Sequence, residues 1–124
     1  MAASRFLSEG YQVYWPTLAH EVDFVIEKGG KLSRVQVKTA GYSKAGRISY
    51  LQCRIIKTRS KKASGFSPAS FYDLLFVHAP GVGDWLIPAP VIDTTNLCLA
   101  SFPDVKNRER RWDKYKVQSG LQAP

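Results

Sequence analysis

Two alternating segments joined by Gly29-Gly30 constrain this chain more tightly than any other feature. Before the glycines, Val22, Phe24 and Ile26 alternate with Glu21, Asp23, Val25 and Glu27; after them, Val35 and Val37 alternate with Arg34, Gln36 and Lys38. Alternation with period two marks a strand whose two faces differ, and a glycine pair between two such strands favours a short hairpin turn. If Lys28 and Lys31 flank a two-residue loop, the register is set: Asp23 falls opposite Gln36 and Glu21 opposite Lys38. One face is then Val22, Phe24, Ile26, Val35 and Val37. The other collects Glu21, Asp23, Glu27, Arg34, Gln36 and Lys38, with Val25 and Leu32 as its apolar exceptions.

Such a face offers oxygen ligands for a hard divalent cation beside an ammonium group, which is what metal-assisted phosphodiester hydrolysis requires. The plain structural alternative is a solvated hairpin face, on which Glu21 and Lys38 form a cross-strand ion pair contributing about 0.2–1 kcal/mol. Charge favours the chemical reading. The 124 residues carry 18 Lys and Arg against 10 Asp and Glu, a net +8, which suits a polyanionic partner. Residues 39–72 contain no acid but hold Lys44, Arg47, Arg54, Lys57, Arg59, Lys61 and Lys62. A second cluster, Lys106, Arg108, Arg110, Arg111, Lys114 and Lys116, is interleaved with Trp112 and Tyr115, a mixture fitted to phosphate contacts and packing on sugar or base.

Length allows one domain, residues 1–103, followed by a basic arm or tail at 104–124 that is helical or orders on DNA. Cys53 and Cys98 lack CxxC spacing and His20 and His78 stand far apart, which argues against a zinc site or disulfide framework. Neither a signal-peptide core nor a run of roughly 20 apolar residues is present, so the expected setting is cytoplasmic and away from membranes. Gly81-Val82-Gly83 lacks the helix and lysine of a phosphate-binding loop, so no nucleotide cofactor is expected.

Along the chain, Ala2, Ala3, Phe6 and Leu7 have helical spacing up to a C-capping Gly10, and residues 11–15 alternate into a strand stopped by Pro16. A strand is expected over 47–55, then a basic loop over 57–65, then a short helix with Ser67 as N-cap and Pro68 in its first turn. Residues 72–79 read as a strand covered on both faces, turning through 80–83 into a strand over 84–87. Residues 91–99 read as a short helix or irregular packing segment. Asp73 is expected to be a satisfied polar group at a junction, His20 a loop residue, His78 a strand-end residue, and Trp15 and Trp85 packing residues.

Tyr11-Gln12-Val13-Tyr14-Trp15-Pro16, Val22-Asp23-Phe24 and Val35-Gln36-Val37-Lys38-Thr39, with Tyr72–His78 and Trp85–Pro88 later, resemble the core of the PD-(D/E)XK nuclease superfamily in its glutamine-containing form. The chain is similar to the small group I intron homing endonucleases of that superfamily and, more distantly, to Holliday junction resolvases, over about residues 5–90. The resemblance implies an α/β, restriction-endonuclease-like fold with a mixed central sheet flanked by helices. It implies a DNA endonuclease of a prokaryotic or phage-infected cell using Mg2+, with Mn2+ as a substitute. Asp23 and Gln36 would supply metal oxygens, the Val37 carbonyl a further ligand, and Lys38 would orient the attacking water and stabilise the transition state. Family members commonly add a glutamate from the first helix; Glu9 and Glu21 are the substitutes in this chain.

Lys44, Arg47, Lys57, Arg59, Lys61 and Lys62 are the expected DNA contacts. One domain holds one active site and a duplex has two strands, so the expected working unit is a homodimer or a dimer of dimers, with Trp85 or Trp112 at its interface. A catalytically silent DNA-binding module of the same fold is the rival from another class.

Overall fold

A computed structural model describes residues 2–17, 22–55, 67–103 and 111–117. The chain opens with a short helix, α1 (Ala2–Ser8), closed by Gly10 at a φ of 89°, and a strand, β1 (Gln12–Tyr14). The glycine hairpin follows as β2 (Phe24–Lys28) and β3 (Lys31–Thr39). Gly29 and Gly30 hold φ angles of 62° and 83°, the left-handed pair that a two-residue turn needs to match strand twist. Lys28 pairs with Lys31, Val25 with Arg34 and Phe24 with Val35, which is the register the alternation requires.

After β3 come β4 (Gly41–Ala45) and β5 (Ile48–Arg54), then β6 (Leu74–Ala79), β7 (Gly83–Pro88) and β8 (Asn96–Phe102). The central sheet has the order β1-β2-β3-β6-β7, with β3 and β6 parallel and its other neighbours antiparallel. It is therefore mixed, as expected. A second, antiparallel sheet has the order β4-β5-β8.

Helical layers are not what covers the central sheet among the described residues. On one face, Phe6 of α1 packs among Phe24, Ile26, Val35, Phe76 and Leu86. On the other, Leu51, Cys53, Leu97 and Leu99 of the second sheet pack on Leu75, Val77, Trp85 and Ile87. Besides α1, the described residues hold only single 3-10 turns, at Pro68–Ser70, Ala89–Val91 and Asp113–Tyr115. The layer opposite α1 is a sheet because Leu97, Leu99 and Ser101 are buried at alternate positions, so β8 replaces the helix or irregular segment expected over 91–99. Val22 also departs from the expected apolar face. It joins the cluster under the second sheet, because the regular ladder stops at Phe24 and the Asp23 N–H bonds the Val35 carbonyl, out of the register that the alternation assumes.

Ser67 precedes the Pro68–Ser70 turn as expected but makes no side-chain capping bond. Trp85 and Trp112 are 1% and 3% exposed, so both fill the core of this chain and neither is available as an intersubunit anchor. The described part of the 104–124 segment is docked on the domain. Lys116 bridges Trp85, the Val117 N–H donates to the Asp84 carbonyl at 2.8 Å, and Arg111 pairs with Asp93 at 2.7 Å.

Parallel pairing of β3 with β6 is anchored where it starts. The Arg34 N–H and guanidinium donate to both oxygens of Asp73 at 2.8–3.2 Å, and the Asp73 N–H returns a bond to the Arg34 carbonyl at 2.9 Å. These hydrogen bonds from Arg34 hold the Asp73 carboxyl below the usual carboxylate range. A carboxyl lowered on folding contributes stability that is present above its unfolded pKa of about 3.9 and is lost as pH falls through the folded value. Urea unfolding should therefore show wild type losing stability below about pH 4 by an increment that Asp73→Asn lacks.

Candidate active site

The site is built where one strand outruns its neighbour. The β2–β3 ladder ends at Phe24 and Val35, but β3 continues to Thr39. In an antiparallel pair the N–H and C=O of one residue face the same neighbour, so Val35 and Val37 both address the β2 side. The Val35 carbonyl accepts the Asp23 N–H at 2.8 Å. Val37, two residues further, meets a side chain instead of a strand, its N–H donating to Asp23 Oδ2 at 2.6 Å. The Asp23 carboxylate thus continues the ladder by one bond and is fixed at its open end.

Gln36 converges on the same notch. It is 8% exposed, its Nε2 lies 3.5 Å from the Val37 carbonyl oxygen, and its Oε1 is buried with no hydrogen-bond partner among the described residues. An orphaned buried amide oxygen costs free energy, about 1–3 kcal/mol, unless something satisfies it. A half-turn about the terminal torsion exchanges the two amide atoms, setting Oε1 beside the Val37 carbonyl, two acceptors that a cation would join. Asp23, Gln36 and Val37 therefore fit a hard divalent cation as one carboxylate and two neutral oxygens. Among the described residues no three His, Cys, Asp or Glu side chains converge.

Lys38 extends to the side of β3 that the second sheet covers. Its charge acts on the buried Cys53 thiol, opposing the burial that pushes that thiol up to about 11. The hairpin face carrying Gln36 and Lys38 is thus an intersheet face and not the solvated surface that alternation alone permits. Glu9 is not brought to this notch. Lys28 Nζ bonds the Glu9 carbonyl at 3.1 Å, at the turn end of the hairpin, five residues or about 16 Å along β2 from Asp23. Lys44 and Arg47 are exposed on β4 and its turn. Glu21, His20, Lys57, Arg59, Lys61 and Lys62 lie outside the described residues.

A cavity of about 650 Å³ opens beside Asp23 on the α1 face of the sheet. Its walls include Trp15, Val37, Arg5, His78 and Asp84. His78 Nδ1 lies 2.6 Å from Asp84 Oδ1, and Arg5 Nη1 lies 3.2 Å from Asp84 Oδ2. The signal for the first pair was present in the sequence, because the turn at 80–83 places His78 opposite Asp84 in the β6–β7 hairpin. Trp15, expected to be packed, is 66% exposed with its ring edge-on to Phe24 at 5.5 Å.

The sequence profile of the PD-(D/E)XK endonucleases matches residues 1–83. That stretch covers more than half of the chain and contains Asp23, Gln36 and Lys38, and the protein belongs to this endonuclease family. Among solved structures it is similar to that of the bacterial homing endonuclease I-Ssp6803I, with a TM-score of 0.71 at 21% identity over 93% of this chain and 80% of the other. At that identity the likeness speaks for the fold. No curated protein matches.

Because the Gln36 oxygen is unsatisfied without a cation, Gln36→Leu in the presence of chelator is expected to be within about 1 kcal/mol of wild type or more stable. Denaturant unfolding measures this directly.

Proposed function

We propose that this nuclease is a divalent-metal-dependent DNA endonuclease of the homing type. The observation that carries the reading is the notch on β3, where the Asp23 carboxylate, the buried Gln36 amide and the Val37 carbonyl converge one residue before Lys38. The fold shared with a homing endonuclease supports a nuclease core of this kind, and cleavage of duplex against four-way-junction DNA separates the homing type from a junction resolvase.

Asp23, Gln36 and the Val37 carbonyl would hold Mg2+, with Mn2+ as a substitute. When bound, the ion would supply polarisation of the scissile phosphate and acidification of a water molecule. The chain's own residues do the rest. The Val37 N–H fixes the Asp23 carboxylate in one orientation, so little is lost in ordering it when substrate arrives. Lys38 orients the attacking water and offsets the negative charge that builds on the phosphate. Gln36 brings no charge, so the site attracts cations less strongly than an Asp-plus-Glu pair, and the neutral amide leaves more of the Lys38 charge for the phosphate. Lys44 and Arg47, exposed on the ribbon that continues β3, contact the DNA backbone, together with Lys57, Arg59, Lys61 and Lys62.

Purified protein incubated with duplex, four-way-junction and single-stranded DNA in Mg2+ or Mn2+ is expected to cut duplex. Asp23→Ala and Lys38→Ala should each lower the rate by about 10²–10⁴-fold with DNA binding retained. Binding without cleavage of any substrate would instead identify a silent DNA-binding module, and preference for the junction a resolvase. The same metal should raise the melting temperature of wild type and leave that of Asp23→Asn unchanged.

Cutting both strands of a duplex calls for two copies of this single site, and a homodimer or a dimer of dimers supplies them. Sedimentation at micromolar concentration with and without DNA is expected to show a dimer or larger. A monomer under both conditions that makes double-strand breaks would refute the assembly.

A further inference from the structure

The cavity beside Asp23 contains chemistry that phosphodiester hydrolysis at the notch does not use. Its inner wall is apolar, formed by Phe24, Phe76 and Val37, and its rim carries Trp15, whose ring is largely exposed. At the far side stand two basic side chains on one carboxylate. Asp84 is only 12% exposed, whereas His78 and Arg5 are 53% and 40% exposed, so the acid is held inside and the basic groups face outward. The contact through Nδ1 fixes the His78 ring and leaves Nε2 unengaged by Asp84. Arg5 gives Asp84 one donor of five.

We propose that this cavity is a nucleotide subsite for the substrate strand next to the bond that is cut, with Trp15 packing on the base or sugar and His78 and Arg5 contacting the phosphate. An exposed indole over an apolar wall suits the π-face of any base, and oriented basic groups at the other side suit a phosphodiester. Position fixes which nucleotide. Val37 lines the cavity and also bonds Asp23 in the notch, and His78 pairs in register with Thr39, two residues further along β3. The subsite is therefore one strand-step from the candidate catalytic groups, and Asp23 borders both. Asp84, which touches no substrate in this arrangement, is a positioning residue that holds His78 and Arg5 in place.

This inference rests on the nuclease reading, and the experiment separates the two. A cleavable duplex is scanned around the cut, one position at a time, with methylphosphonate linkages and with abasic nucleotides. Cleavage rates are compared for wild type, His78→Ala, His78→Gln and Trp15→Ala. Both residues are exposed, and Asp84 keeps Arg5 when His78 is removed, so the variants should melt as wild type does. One linkage near the cut is expected to slow wild type about tenfold when neutralised and to cost both His78 variants no more than about twofold further, as for a single charge-assisted contact. Removal of the adjoining base should slow wild type roughly 5- to 100-fold, and Trp15→Ala should show that loss already on intact DNA with little added by the abasic site. If wild type cuts, Asp23→Asn does not, and every penalty is the same in all four proteins, the subsite is refuted and the nuclease reading stands. If wild type neither binds nor cuts DNA, both fall.

Discussion

Strand β3 is shared by everything in the molecule, and its backbone hydrogen bonds run out on one side at Val37. Up to Val35 they go to β2; on the other side, from Arg34 to Thr39, they go to β6. At Val37 the described ladder to β2 has ended, and a peptide N–H there without a partner would be costly. The Asp23 carboxylate takes it at 2.6 Å. A carboxylate accepting a backbone N–H makes a stronger bond than a neutral carbonyl would, so the sheet is completed by the group that also faces the notch. Among the described residues the carbonyl of Val37 receives only the long contact from Gln36, and the Gln36 oxygen receives none. Structure and site meet in these three residues.

The rest of the fold holds this notch from both sides. Arg34 and Asp73 anchor the entry of the β3–β6 pairing, so the parallel ladder reaches Val37 in a fixed register. Phe6 and its aromatic neighbours pack one face of the sheet, with Tyr11 and Phe24 at 5.2 and 5.8 Å from its ring. The second sheet closes the other face over Gln36 and beside Lys38. An ammonium near a buried thiol and beneath a sheet is less screened than one on a solvated hairpin, which would strengthen the action on a phosphate proposed for Lys38.

The hairpin was legible in the sequence for a definite reason. Side chains alternate with period two, and two glycines can adopt the positive φ angles of the shortest turn, so the register from Lys28 opposite Lys31 to Phe24 opposite Val35 follows from local chemistry alone. Asp23, expected opposite Gln36, instead lies beyond that ladder, and its N–H bonds the Val35 carbonyl. The buried runs of β6 and β7 were legible in the same way, and the His78–Asp84 pair lay implicit in their turn. Segment 91–99 was not legible as a strand. Its buried positions are Leu97, Leu99 and Ser101, with Leu99 skipped where the pairing with β5 shifts, and two apolar residues followed by a serine do not distinguish a strand from an irregular packing segment.

Sequence by itself determined the elements whose partners are close in the chain: the glycine hairpin, the motif it carries and the basic character of the whole. Tertiary structure decided what depends on distant partners. It placed a sheet where helices were expected, turned Trp85 and Trp112 inward, set Glu9 at the wrong end of the hairpin for the notch, and joined Arg5, Trp15 and His78 around one cavity. The physical reason is common to all four. Periodicity records which face of an element avoids water, but which other element covers that face is fixed only when strands far apart in the chain pair and pack.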